Sequence, residues 1–466
     1  MVTSTVFPER GRMIRERAAG RPSIRPATLT LLVALLAALL AALLAAANPA
    51  AAERPLAERL PEAVAGAQKL VERVRGVPFP GTVASAILHE KDLARVLARK
   101  LVEDLPAPFP RYAASLAAVG FFDAEPGLEQ KLTRLYARQV AGFYDPAEKK
   151  FFIVPERTAE TAAAGAATLG LSAETLLEDT LLAHELTHAL QDRRLDLVPR
   201  LKALQDSSDG LLALEAFLEG EATVVMMDAL LTRLPYESKE LFGEDALATM
   251  MASLAQGAAV EGAEGVPPFF VKEMLFPYVG GTAWIQARKK AGGWPAVDAA
   301  YARPPRTTSE ILHPERASAA HVLLNAVDRP TAASVPPGMR LLYEDTFGEW
   351  MLGTLLERAG AANAAALAAE WQDDRVVFFE PQESLGAGTL PVGFVWRLRA
   401  TSPAAAKRIA TALESLYARP DGRFAAAVTA VADRVEVVRG RTGARASLPE
   451  KTLISPRSAS APPEGK

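Results

Sequence analysis

The chain contains no cysteine, and this absence excludes several classes of site. Without a thiol there is no disulfide, no cysteine nucleophile, no lipidated cysteine and no cysteine-ligated zinc. Histidine is also scarce, with 5 residues in a chain of 466. Any bound metal must therefore be held by histidine and carboxylate side chains.

Aromatic residues and an excess of positive charge are also lacking. Aromatics make up 7% of a chain that is 50% hydrophobic, and much of the apolar content is alanine and leucine, which favour helix over strand. We therefore predict a predominantly helical α+β fold, long enough for two or three domains. A formal net charge of -3 and a pI near 6.1 leave no basic surface for phosphates, which excludes nucleic acid as a partner.

Residues 1–52 are predicted to be a signal for export. Several arginines precede a charge-free run at 27–47, and the small-residue segment AAAE at 50–53 suits a signal peptidase. We expect an exported protein, periplasmic or extracellular. An uncleaved amino-terminal membrane anchor is the alternative, because the run is near the lower limit for crossing a bilayer.

The mature chain divides into four regions by its apolar spacing. Residues 53–136 predict a helical region, and residues 137–330 predict a catalytic region. Residues 331–440 predict a separate carboxy-terminal α+β unit, and residues 441–466 a disordered tail.

Within these regions the pattern predicts individual elements. VAGFY and FFIV flank a turn and predict a hairpin, and apolar spacings of three and four predict helices. The predicted strands lie at 140–144, 151–154, 375–380, 393–400 and 434–440, and the main predicted helices at about 173–193, 211–234, 345–370 and 402–418.

The segment LLAHELTHALQD at 181–192 contains a His-Glu-x-x-His motif. Residues i and i+4 share one face of a helix, so His184 and His188 can present their imidazoles to one Zn²⁺ ion at about 2.0 to 2.1 Å. Glu185 would lie beside the metal without binding it and take a proton from the zinc-bound water. Chance placement of the motif on an ordinary amphipathic helix is roughly a one in a few hundred event for this composition.

A catalytic zinc site needs three protein ligands and one open position. The metzincin continuation requires glycine and histidine where this chain has Gln191 and Arg194, so the third ligand must come from elsewhere.

The next predicted helix offers three acids in LEAFLEGEAT at 214–223. Glu219 precedes Gly220, and a helical glycine costs about 1 kcal/mol unless the backbone must approach a neighbour closely. We predict that Glu219 is the third ligand, with Glu215 as the alternative. The remaining acids, including Glu221, are expected on exposed turns.

HELTHALQD followed by LEGEAT resembles the gluzincin metallopeptidases, and most of all a poorly characterised bacterial group that also has FPY-G and HPE segments. This chain supplies FPYVGG at 276–281 and TTSEILHPE at 307–315. The resemblance covers about residues 137–440, although only HELTH is highly specific. The interval between His188 and Glu219 is longer than in thermolysin-like members.

The resemblance implies a zincin-like catalytic region, a His₂Glu zinc site, hydrolysis of peptide bonds and a protein or peptide substrate. It also implies an edge strand that pairs with extended substrate, for which FFIV at 151–154 is the candidate. His313 and Tyr278, which lie in the family-like segments, are the candidate donors to the oxyanion. For His313 the alternative is a loop imidazole hydrogen-bonded to backbone.

Two other functions are compatible with the motif. One is an exported binding or scaffold protein that retains the zincin fold without turnover, which loss of Glu185 or of a ligand would indicate; neither is missing. The other is a zinc hydrolase that acts on a non-peptide bond.

Overall fold

The computed structural model describes residues 56–103, 105–157, 178–232, 260–316, 323–324, 328–382, 392–418 and 424–441. The predicted export signal, the predicted helix start at 173 and the tail after 441 lie outside these ranges. Within them, no helix combines the length and apolar character needed to cross a membrane.

The chain folds as α+β, with twelve α-helices and eight strands among the described residues. The helices are α1 (Leu56–Arg75), α2 (Glu90–Glu103), α3 (Phe109–Val119), α4 (Leu128–Gln139), α5 (Ala183–Leu195), α6 (Leu197–Ala203), α7 (Ser208–Leu231), α8 (Pro268–Ala300), α9 (Thr308–Leu312), α10 (Gly348–Arg358), α11 (Ala364–Ala368) and α12 (Pro403–Leu416). The strands are β1 (Ala84–Ile87), β2 (Gly142–Asp145), β3 (Lys150–Ile153), β4 (Met339–Asp345), β5 (Trp371–Pro381), β6 (Gly393–Ala400), β7 (Phe424–Val431) and β8 (Arg434–Arg441).

The predicted hairpin is confirmed, but its place in the small sheet differs from the prediction. Strands β2 and β3 pair antiparallel, and β1 pairs parallel to the other side of β3, giving the order β1-β3-β2. The FFIV segment is therefore the central strand, and its assignment as the substrate-binding edge is wrong. Phe151 and Ile153 are fully buried in the core beneath one face of the sheet. The edge strands are β1 and β2.

The carboxy-terminal sheet has five antiparallel strands in the order β4-β5-β6-β8-β7. Its three predicted strands and the alanine-rich helix α12 are confirmed. The helix predicted at 345–370 is two helices, because Gly360 and Asn363 adopt φ of 74° and 54° between α10 and α11. Strands β4 and β7 were missed; β7 is FAAAVTAV, and alanine is depleted in strands.

Two clusters of buried side chains hold the described residues together. The larger cluster joins the long helices to the carboxy-terminal sheet and includes Leu93, Phe217, Phe347 and Trp396. The smaller cluster packs α1 and the three-stranded sheet against α5. The same core therefore supports the helices of the central region and the sheet beyond residue 339, and the predicted domain boundaries stay a prediction.

Candidate metal centre

Helices α5 and α7 bring three predicted ligands together in the interior. His184 Nε2 lies 3.1 Å from Glu219 Oε2 and 3.2 Å from His188 Nε2. His188 Nε2 lies 3.5 Å from the same carboxylate oxygen. All three side chains are at most 1% exposed. Within the described ranges, this is the one group of three or more His, Cys, Asp or Glu residues that could hold a metal ion.

The donor set fits Zn²⁺. Ligand atoms at about 2.0 to 2.1 Å from a tetrahedral ion are separated from one another by about 3.3 Å, close to the three distances between these atoms. Glu219 Oε1 is buried and has no hydrogen-bond partner among the described residues, which is costly unless another group binds there. The geometry favours Glu219 over Glu215, which is buried one helical turn away on α7 and is not in the group.

Without a bound metal, the pKa values of the two histidines shift in opposite directions. Burial is the largest single influence on His188 and opposes its charged imidazolium, but Glu219, Glu185 and Gln191 together outweigh burial and raise the pKa of His188 to about 9. Burial dominates at His184 and lowers its pKa. Glu219 is itself buried, yet the neighbouring histidines lower its pKa. A carboxylate that stays ionised between two imidazoles is suited to bind a divalent cation.

Glu185 lies beside the cluster in a fixed orientation. Its Oε2 accepts a hydrogen bond of 2.9 Å from the backbone N–H of Tyr144 in β2. Its Oε1 is buried and has no partner among the described residues. Burial raises the pKa of Glu185 to about 8. This carboxylate is therefore held by one oxygen while the other is free to exchange a proton.

Two glycines set how α7 and α8 cross. A Cβ atom built on Gly220 would lie 2.2 Å from the carbonyl carbon of Gly281, and one built on Gly281 would lie 1.9 Å from the carbonyl oxygen of Ala216. The helices thus touch backbone to backbone, as the sequence predicted from the cost of Gly220. This contact places Glu219 beside the histidines, and it places Tyr278 of α8 near them too. The rings of Tyr278 and His184 are 6.4 Å apart and inclined by 21°.

Sequence reasoning missed the residues that orient His188. Gln191 Nε2 donates to the backbone oxygen of Leu218 and to Glu221 Oε2, both at 2.9 Å. These two acceptors fix the amide so that Gln191 Oε1 faces His188 Nδ1 at 2.8 Å. His188 then donates from Nδ1, and its Nε2 is directed to the metal centre.

Glu221 is held in turn by residues from distant helices. Arg75 Nε donates to Glu221 Oε1 at 2.7 Å, and the hydroxyl of Tyr301 donates to Oε2. Arg75 also donates to Asp298 at 2.8 Å. The expectation that Glu221 occupies an exposed turn is wrong, because its side chain is fully buried and ion-paired. The signal in the sequence was its place between apolar residues on a helix without an exposed face.

Asp192 connects helix α5 to the hairpin. It accepts hydrogen bonds of 2.8 Å from the hydroxyl of Tyr144 and from Lys149 Nζ. It also accepts one from the backbone N–H of Leu197. Gln191 and Asp192 therefore both help to position the motif. Gln191 orients the imidazole of His188. Asp192 fixes strand β2, whose Tyr144 N–H holds Glu185.

The two predicted oxyanion donors lie in different places. Tyr278 is fully buried next to His184. His313 Nε2 instead lies 2.7 Å from Glu349 Oε1 of α10, on the wall of a cavity whose lining contains none of the three ligands. The donor role of His313 stays a prediction that this contact does not support. The partner of its imidazole is a carboxylate rather than the backbone.

The fold and the site thus define an α+β protein with a buried cluster of two histidines and one glutamate. A model of a domain of unknown function, DUF8575, matches residues 339–449, which carry the carboxy-terminal sheet. No curated protein matches the chain in sequence. The structure is similar, with a TM-score of 0.38 and 19% identity, to a crystal structure from Chloroflexus aurantiacus described as "a putative hydrolase with a novel fold". That similarity covers 61% of this chain and 95% of the other.

Proposed function

We propose that the chain is an exported zinc-dependent peptidase of the gluzincin type. The observation that carries the proposal is the convergence of His184, His188 and Glu219 on one point, with the carboxylate of Glu185 fixed beside them. Two histidines from α5 and a glutamate from α7 form the donor set of a catalytic zinc site with an open position.

Zinc bound at this cluster would supply a Lewis acid that polarises the scissile carbonyl and makes a water molecule a nucleophile at neutral pH. The protein's part is proton transfer and orientation. Glu185 Oε1 would accept the proton of the attacking water and deliver it to the leaving amine, while the Tyr144 N–H holds Oε2 in place. General acid–base catalysis of this kind contributes roughly 10² to 10⁴ in rate.

Tyr278 is the better placed of the two candidate donors to the oxyanion. Its ring lies beside His184, and the glycine contact between α7 and α8 fixes the position of its helix. A donor directed at the developing negative charge typically adds a few kcal/mol of stabilisation, about 2.7 to 4 in measured cases.

The corrected sheet order removes FFIV as the strand that would align an extended peptide. Strand β2, not β3, has an edge without a partner strand among the described residues, and its Tyr144 N–H faces Glu185. All four residues of β2 are buried, however, and the Tyr144 N–H is already donated to Glu185. Strand β2 therefore holds the carboxylate of Glu185, and substrate alignment is not assigned to it.

Metal analysis of the purified mature chain, combined with digestion of a proteome-derived peptide library, tests the proposal. One zinc per chain and a reproducible set of cleavages that disappears in Glu185→Gln are expected. Glu219→Ala should lower zinc occupancy and the matched variant Glu215→Ala should not. A zinc-loaded chain that cleaves no peptide would refute the peptidase assignment and leave a binding protein or a hydrolase of another bond. Zinc-free preparations with full cleavage would refute the site.

A further inference from the structure

A cavity lies on the side of α8 that faces away from the candidate metal centre. Phe276, Val279 and Gly280 of this helix line it, whereas Tyr278 and Gly281 face His184 and α7. Residues two apart on a helix point in nearly opposite directions, so one helix separates the two sites. The cavity has a volume of about 1010 Å³, at the upper end of the roughly 300 to 1,000 Å³ of small-molecule sites.

The walls of this cavity are mainly apolar. Helix α10 contributes Trp350 and Gly353, and α11 contributes small alanine side chains such as Ala365 and Ala366. Such a surface stabilises a ligand by removing its apolar area from water, at roughly 25 cal/mol per Å².

One buried carboxylate interrupts the apolar wall. The side chain of Glu349 is only 3% exposed, and its Oε1 is 2.7 Å from His313 Nε2. Its Oε2 is buried and has no hydrogen-bond partner among the described residues. A buried acceptor without a donor costs about 1 to 3 kcal/mol, and more when it is charged, so this oxygen requires a donor from a ligand or from solvent.

A cationic donor complements the Glu349 carboxylate best, because a hydrogen bond between charged groups is roughly twice as strong as one between neutral groups. At the rim, Lys272 and Glu357 are paired at 2.7 Å with half of each side chain exposed, so they neutralise each other. Arg316 is also half-exposed, near Glu315.

We propose that this cavity binds an apolar molecule with a primary ammonium group at one end, and that the ammonium donates to Glu349 Oε2. His313 is then a positioning residue that holds Oε1 of the same carboxylate. The apolar body lies along α8, α10 and α11. The site is distinct from the metal centre and does not depend on the proposed peptidase activity.

Calorimetric titration of the full mature chain with n-octylammonium, octanoate and 1-octanol tests the proposal, because these probes share an alkyl chain and differ in the head group. We expect octylammonium to bind with a stoichiometry of one and at least tenfold more tightly than octanoate. Glu349→Gln should weaken octylammonium binding at least tenfold, because a charge-assisted hydrogen bond becomes a neutral one, and should leave octanol binding unchanged.

Matched variants locate the site. The double variant Lys272→Gln/Glu357→Gln removes the ion pair from the rim of the same cavity without changing the net charge, and it should not change octylammonium affinity. Gly353→Leu should abolish binding of all three probes, because a Cβ is accommodated there, 3.6 Å from the Cβ of Ala368, and the rest of the side chain fills the cavity. His184→Ala should bind octylammonium normally, which excludes the metal centre as the binding site.

Three results would each overturn the proposal. These are equal affinity for octylammonium and octanoate, unchanged affinity in Gly353→Leu, and loss of binding in His184→Ala with retention in Glu349→Gln. If Glu349→Gln does not fold, the comparison of head groups on the wild-type chain and the Gly353→Leu variant decide the question.

Discussion

Replacing Gly220 with alanine is expected to loosen the crossing of α7 and α8 and to weaken zinc binding by the same movement. The new methyl group would lie 2.2 Å from the carbonyl carbon of Gly281 and 2.3 Å from its oxygen. These are backbone atoms, so no side chain can rotate away. The helices must separate by about 1 Å, enough to forfeit a quarter to a half of the dispersion energy at the contact.

The size of the effect follows from two opposing terms. Overpacking typically costs about 1 to 3 kcal/mol, and more where the obstruction is rigid. Alanine is favoured over glycine in a helix by only about 1 kcal/mol. We expect a net loss of about 2 kcal/mol in the free energy of unfolding. Because metal–ligand distances tolerate only about 0.2 Å, moving Glu219 with its helix should lower zinc affinity at least tenfold.

Urea denaturation and competition with a zinc chelator measure the two effects. Gly353→Ala is the matched control, because a Cβ built there meets only the Cβ of Ala368 at an ordinary 3.6 Å. That variant should be as stable as the wild type or more stable, with unchanged zinc affinity. If Gly220→Ala matched the wild type in both measurements, the close approach of α7 and α8 would not be what positions Glu219.

Further substitutions test the other parts of the site. His188→Ala should lose stoichiometric zinc in elemental analysis, since two ligands hold the ion far less well than three; full occupancy would disprove the ligand assignment. Glu185→Gln should keep its zinc and lose at least about a hundredfold in turnover, and near-normal turnover would point to another base. Glu221→Leu should lower zinc affinity by about 10 to 100-fold, because Gln191 loses the acceptor that fixes its amide; unchanged affinity would leave this contact without a role in binding. Burial raises the pKa of Asp209 from 3.8 to about 8, so the folded state holds a proton that the unfolded state releases, and stability falls as pH rises between these values. Asp209→Asn should remove that loss. Urea denaturation should therefore show that the free energy of unfolding of the variant, relative to that of the wild type, is higher at pH 8 than at pH 5. The same difference between variant and wild type at both pH values would contradict the pKa shift.

Local patterns were sufficient for the elements whose stabilising contacts are close in sequence. The hairpin at 142–153 follows from two apolar strands around a turn, and the pairing of His184 with His188 follows from one turn of helix. The choice of Glu219 also had a local signal, since Gly220 has a cost in a helix that only a close backbone contact offsets.

Tertiary structure decided which strand is the edge and which residues orient the ligands. Strand β1 pairs with β3 across more than sixty residues, and four residues give no periodic signal for a pairing at that distance. That pairing makes β3 the central strand and leaves it without a free edge. Likewise, Glu221 could be read only as one of three acids on a helix, because its partner Arg75 lies 146 positions away.

The sequence by itself determined the mutual placement of His184, Glu185 and His188 in the candidate metal centre, because helix geometry fixes these residues relative to one another. Only the tertiary structure decided the surroundings of the centre. The close contact of α7 with α8 brings Glu219 beside the histidines. The packing of α9 against α10 places the imidazole of His313 beside Glu349. The spacing of residues along one helix fixes the direction in which their side chains point. How two helices pack against each other depends instead on side-chain volumes and backbone contacts across the whole core.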